Sequence, residues 1–108
     1  MEEPKPKGVL PPPVDSAMRR IGDDLRTWRK LRRLTAAQVA DRAGVGRDTV
    51  GRLEAGRDVS TANLLRVARA LGVLDAFARA VDPYETDVGR LRADEALPER
   101  VRPRKDPR

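Results

Sequence analysis

The sequence predicts an all-α domain of five helices over residues 15–81, on three observations. Apolar residues recur at helical spacing, and no segment shows the strict alternation of a half-buried strand. Capping residues and glycines divide the periodic runs at short intervals. Every proline lies outside residues 14–82, at 4, 6, 11, 12, 13, 83, 98, 103 and 107, which marks the domain edges.

Residues 1–14 are expected to be a disordered or polyproline-like arm, because three successive prolines resist a helix and little apolar surface offsets ordering. Asp15 or Ser16 then caps a first helix, with Ile21, Leu25 and Trp28 at i, i+4 and i+7. Leu31 and Leu34 continue its apolar side, and Arg26, Arg29, Lys30, Arg32 and Arg33 fill the rest. Trp28 reads as core.

Thr35 with Gln38 is a capping-box pair opening a second helix, whose Val39, Ala40 and Ala43 share one face. Gly44 stops it, and Gly46 caps the next, giving two short helices joined by a tight glycine turn. In the third helix Val50 and Leu53 point inward at i and i+3, leaving Arg47, Asp48, Thr49 and Arg52 outward. Ser60 caps a fourth helix carrying Leu64, Val67, Ala68 and Leu71 and ending at Gly72. A fifth, from about Leu74 to Val81, sets Leu74, Phe77 and Val81 on one stripe, the best candidate for a partner or dimer surface.

The chemistry open to the chain is narrow. It has no Cys and no His, which removes thiol chemistry, disulfides and the usual zinc ligands. Asp23 and Asp24 are adjacent and point in different directions, so they make no paired-carboxylate site, and no phosphate loop or nucleophile motif occurs. No enzyme activity, metal or cofactor is expected. The acidic opening Met1-Glu2-Glu3-Pro4 is unlike a signal peptide and no apolar run could cross a bilayer, so a cytoplasmic protein without membrane association is expected.

Charge is unevenly placed. Residues 16–81 hold 14 Arg or Lys against 7 Asp or Glu, so the positive excess of the chain, +6 in all, lies in the segment that reads as folded. That suits a domain that neutralises phosphates, and it equally describes a solvated Arg-rich surface. The tail, residues 82–108, is acidic up to 99 and basic from 100 on. Its Tyr84, Val88, Leu91, Leu97 and Val101 are too sparse for a core, although residues 87–97 can form a short helix on a partner.

An Arg-bearing outward face on the third helix is what groove recognition in double-stranded DNA needs. Arg47 and Arg52 suit guanine edges, Asp48 can accept from cytosine N4 or pair with Arg52 at i, i+4, and Thr49 offers a hydroxyl or a methyl. Arg57 and Ser60, with the backbone N–H groups beside Ser60, are placed for phosphate. Glu54, near a helix C-terminus, is unfavourable unless it meets an arginine of the first helix.

Residues 21–73 resemble the Cro/cI-type, or Xre-like, helix-turn-helix family. The likeness rests on Ile21-Gly22 with Leu25-Arg26, Leu34-Thr35, Val39-Ala40 and Ala43-Gly44-Val45, then on Val50, Arg52-Leu53-Glu54-x-Gly56 and Leu64-x-x-Val67-Ala68-x-Ala70-Leu71-Gly72. It implies a lambda-repressor-like fold and a DNA-binding regulator, usually a homodimer on a palindromic operator with its third helix in the major groove. Two positions depart. Ala36 stands where the family very often has a phosphate-clamping Gln, so the first anchoring phosphate contact falls to Gln38, to Thr35 or to the backbone N–H groups of that helix start, and Gly51 sits inside the recognition helix. The tail pattern Asp82-Pro83-x-x-Thr86-Asp87-x-Gly89-Arg90, followed by Arg92-x-Asp94-x-Ala96-Leu97-Pro98, is similar to tails of HipB-like antitoxins that pair with HipA-like kinase toxins. Two classes of function remain: a transcriptional repressor, with or without a toxin partner, and a protein-interaction module without sequence-specific DNA binding.

Overall fold

A computed structural model describes residues 8–101 and 103, and these residues are helical and contain no strand. The helices are α1 (Pro12–Leu31), α2 (Ala36–Ala43), α3 (Arg47–Glu54), α4 (Thr61–Leu71), α5 (Leu74–Ala80) and α6 (Asp87–Leu91), with a 3-10 turn at Pro83–Glu85. That is one helix more than the five expected. The described residues divide between two compact units, with the boundary after Ala78.

α1 starts earlier than expected. Pro11, not Asp15 or Ser16, occupies the N-cap, and Pro12 and Pro13 fill the first two helical positions. The first turn of a helix has no intrahelical use for its N–H groups, so proline costs nothing there and its fixed φ favours the start. Residues 12–14, assigned to the arm, therefore belong to the helix, and the first seven residues of that expected arm lie outside the described part. Asp15 instead sits in the first turn, where it complements the helix dipole and pairs with Arg19 at 3.2 Å.

The caps that separate α2, α3 and α4 are those expected. Thr35 Oγ1 accepts from the Gln38 N–H at 3.1 Å while Gln38 Oε1 accepts from the Thr35 N–H at 2.8 Å. Ser60 Oγ accepts from the Asn63 N–H at 3.1 Å. At the other ends the chain closes α1, α2, α3 and α4 in one way, with a residue of positive φ whose follower donates its N–H to a carbonyl five residues back. Gly44, Gly56 and Gly72 serve three of these turns. Arg33, at φ 56°, serves the fourth and is the one non-glycine residue of positive φ among those described. A side chain there costs roughly 1 kcal/mol relative to glycine.

The core of the first unit is Leu25, Val39, Ala40, Val50, Leu53, Val67, Ala68, Leu71 and Val73, all aliphatic and contributed by α1 to α4 and the α4–α5 link. Leu74 and Phe77 pack against it, whereas Val81 is 84% exposed, so the stripe expected on the fifth helix is divided between core packing and solvent. Trp28 is not core. It is 40% exposed, with the Arg32 guanidinium 5.4 Å from its ring centre. Arg32, expected on the solvated side of α1, donates through Nε to the Leu71 carbonyl at 3.1 Å and so ties the end of α1 to the end of α4.

α1 also holds α3. Gly22 is buried because the end of α3 passes over it, and a Cβ there would run into the Leu53 carbonyl oxygen. One turn past Leu25, Arg29 donates from Nε and Nη2 to the two Glu54 carboxylate oxygens at 2.9 and 3.0 Å, and from Nη1 to the Leu34 carbonyl. This is the arginine Glu54 needed, and its hydrogen bonds to Glu54 raise the Arg29 guanidinium above its ordinary pKa. Both side chains are mostly buried, at 15% and 14% exposure, so removing one strands the other charge. Glu54→Ala is expected to lower the unfolding free energy by roughly 3 kcal/mol in a urea titration, and Arg29→Met with Glu54→Leu to recover most of that loss. A single-variant loss below about 1 kcal/mol, the range of exposed pairs, would show the pair to be dispensable.

Candidate nucleic-acid interface

α3 presents two faces because its apolar residues fall at i and i+3. Val50 and Leu53 are buried on α1, α2 and α4, and the opposite side carries Arg47, Asp48, Gly51 and Arg52 in solvent, with Thr49 half-buried at the margin. The three-residue turn 44–46 sets α2 beside it. Gly46 caps α3 through its backbone alone, and the Asp48 carboxylate occupies the space where a side chain on Gly46 would stand.

Two shallow grooves flank α3. The first, about 390 Å³, is lined by Ala37, Gln38, Ala40, Asp41, Val45 and Arg47 and brings the start of α2 together with the start of α3. The second, about 190 Å³, is lined by Thr49, Arg52, Asp58, Val59 and Asn63 and joins α3 to the start of α4. Of the sequence-predicted residues, Gln38 and Arg47 line the first groove and Thr49 and Arg52 the second, whereas Thr35 is joined to Gln38 by the capping box, Ser60 caps α4, and Arg57 lines a separate groove beside Met18, Ile21 and Leu64. Leu74 and Phe77 are not part of this surface. Phe77 lies instead beside Ile21, Leu25, Trp28 and Val73.

Hydrogen bonds refine the individual roles. Arg52 donates from Nη2 to the Asp58 carbonyl at 3.0 Å, so the backbone of the α3–α4 connection, rather than Asp48, orients this guanidinium. That bond uses one of the five N–H donors of the guanidinium, and the side chain is otherwise exposed. Arg47 and Arg57 are exposed, and the described residues offer no side-chain partner to either. Gln38 and Thr35 use one acceptor each on the cap, leaving the Gln38 amide N–H pair and the Thr35 hydroxyl proton to donate elsewhere. Ser60 is in the same position, its oxygen accepting from Asn63 and its proton free.

Sequence reasoning missed Asn63, which lines the second groove and receives a hydrogen bond from Arg66 Nη1 at 2.9 Å. Its position three residues after the Ser60 cap, on the turn that the second groove exposes, was the available signal. The described residues contain no cluster of acidic side chains able to hold a metal ion, and no helix long and apolar enough to cross a membrane.

Gly51 faces open space: a Cβ added there meets nothing within 4 Å. Gly51→Ala should therefore raise stability by about 1 kcal/mol, measured by thermal or urea unfolding. If the helix backbone approaches DNA closely at this point, the same variant loses affinity as it gains stability. Equal affinity with higher stability would mean that the glycine has no role in binding.

Residues 25–75, just under half of the chain, match the family model described as helix-turn-helix. No curated protein matches the chain. The match coincides with the four-helix core and its exposed α3, and together they give an all-α, lambda-repressor-like helix-turn-helix domain and support a DNA-binding transcription regulator.

Proposed function

We propose that this chain is a sequence-specific repressor that acts in the cytoplasm as a homodimer on a palindromic operator, with α3 in the major groove and no catalytic activity. The observation that carries the reading is the division of α3, with Val50 and Leu53 buried and Arg47, Asp48 and Arg52 exposed on the opposite side. Arg47 has no partner among the described residues and Arg52 spends one donor on the Asp58 carbonyl, which leaves most of both guanidinium groups for a ligand. Arg47 and Arg52 read guanine edges, Asp48 accepts from cytosine N4, and Thr49 contacts a base at the margin. Thr35, Gln38, Arg57 and Ser60 bind phosphates and set the register. In a dimer the two copies of α3 enter successive major grooves about 34 Å apart, so the operator is an imperfect palindrome. Val81 is the member of the α5 stripe left free for that contact.

Arg47→Ala should cost about 1–3 kcal/mol on the operator and relax preference at one or two base positions, whereas Arg57→Ala should weaken binding to all sequences alike and reduce the salt slope by about one unit. Gel shifts on DNA upstream of the gene check both. Uniform loss from Arg47→Ala would move it to the phosphate set, and no binding to any duplex would favour the protein-interaction module instead.

The second unit supports a partner role for the tail. Asp82 and Thr86 cap its two turns, Tyr84, Val88 and Leu97 line one groove of about 210 Å³, and Val88, Leu91, Leu97 and Val101 are between 68% and 85% exposed. The expected helix over 87–97 is shorter, ending at Leu91, and forms without a partner. A HipA-like kinase toxin is the partner proposed, with the pair repressing its own promoter. In the full chain, Val88→Asp with Leu91→Asp should abolish capture of a kinase-like product of the adjacent gene while leaving operator binding intact. Unchanged capture would remove the tail from that contact.

A further inference from the structure

Four helices of the first unit end in the same closure, and three of the four place glycine at the left-handed residue. The fourth places Arg33 there, at φ 56°. Its N–H donates to the Lys30 carbonyl and the next N–H, of Leu34, to the Arg29 carbonyl, so the closure is complete and glycine would serve it without strain. Nothing in the fold repays an arginine. Its side chain is exposed and, among the described residues, makes no hydrogen bond or ion pair.

The neighbouring arginines are in the opposite situation. Arg29 is committed to Glu54 and the Leu34 carbonyl, and Arg32 to the Leu71 carbonyl and the Trp28 ring. Arg33 is the member of this group whose charge has no internal use, and two residues after it comes Thr35, the cap of α2. At the opening of α2 the side chain is that of Ala36, which has no donor for a phosphate. Unfavourable backbone conformations persist where a side chain is needed in a particular place.

Resting on the reading of the chain as a DNA binder, we infer that Arg33 is a DNA-backbone contact: the left-handed turn delivers its guanidinium to a phosphate beside the start of α2. The contact is to the backbone rather than to a base, since α3 occupies the groove.

Substitution by glycine separates the two roles, because it improves the turn while removing the charge. Binding of a mixed-sequence duplex by fluorescence anisotropy, between about 50 and 200 mM salt, gives the slope of log affinity against log salt. Arg33→Gly should raise the thermal midpoint by several degrees yet lower the slope by about 0.9, with roughly 8-fold weaker binding at 0.1 M salt, the factor one released counterion gives. Arg33→Lys should keep the slope, as should Arg69→Ala, which removes the same charge from the solvated face of α4. An unchanged slope in Arg33→Gly overturns the inference, and so does an equal fall in Arg69→Ala, which would report net charge alone. A parent chain that binds no duplex overturns the DNA-binding reading itself, and this contact with it.

Discussion

The pairing of Arg29 with Glu54 is the interaction on which the rest of the first unit depends. One guanidinium closes on both carboxylate oxygens and on the Leu34 carbonyl, so a single side chain of α1 fixes the end of α3 and the turn that leads into α2. A bidentate pair fixes orientation as well as distance. The recognition surface is therefore not held by the short helices that display it. An eight-residue helix is marginal alone, and α2 and α3 keep their shape because α1 and α4 grip them from behind.

The same arrangement commits part of the positive charge of the chain to internal work. Of those at the end of α1, Arg29 and Arg32 work as structural ties, each reaching a carbonyl of another element. Composition counts them as positive charge available to DNA, and geometry removes them from that pool. Arg47 and Arg57 around α3 and Arg33 at the turn before α2 carry no such tie among the described residues, and Arg52 spends one donor on the Asp58 carbonyl.

Local chemistry made much of this legible in the sequence. The Thr35–Gln38 box, the Ser60 cap and the stops at Gly44 and Gly72 each act within four residues, so their signals survive without knowledge of the fold. Val50 and Leu53 were readable for the same reason. Where the reading failed, either position within a helix or tertiary packing decided. Pro12 and Pro13 read as breakers until their place in the first turn is known. Trp28 shares the spacing of Leu25 but sits at the rim of a groove it lines with Ile21, Leu25, Val73 and Phe77, with the Arg32 guanidinium near its ring, and Phe77 packs against the core. Arg33 carries no local signal, because only the backbone shows that the residue is strained. The outward face of α3 was legible from helical phase, whereas the orientation of Arg52 was not, because its partner is a carbonyl that no pattern of side chains announces.

The tail pattern has a different meaning once its bonds are traced. Asp82 receives the Tyr84 N–H, Thr86 receives the Gly89 N–H and donates to the Pro83 carbonyl, and Arg90 donates to the Tyr84 carbonyl. Gly89 is required because the Pro83 carbonyl lies against its Cα, where no side chain fits. These bonds begin and end within nine residues, so closing the loop costs little chain entropy and the segment can open and reform on its own, on the timescale of a short loop. A partner that seizes Val88 and Leu91 meets a hook already bent, and much of the ordering cost that slack chains incur on capture has been met before the encounter.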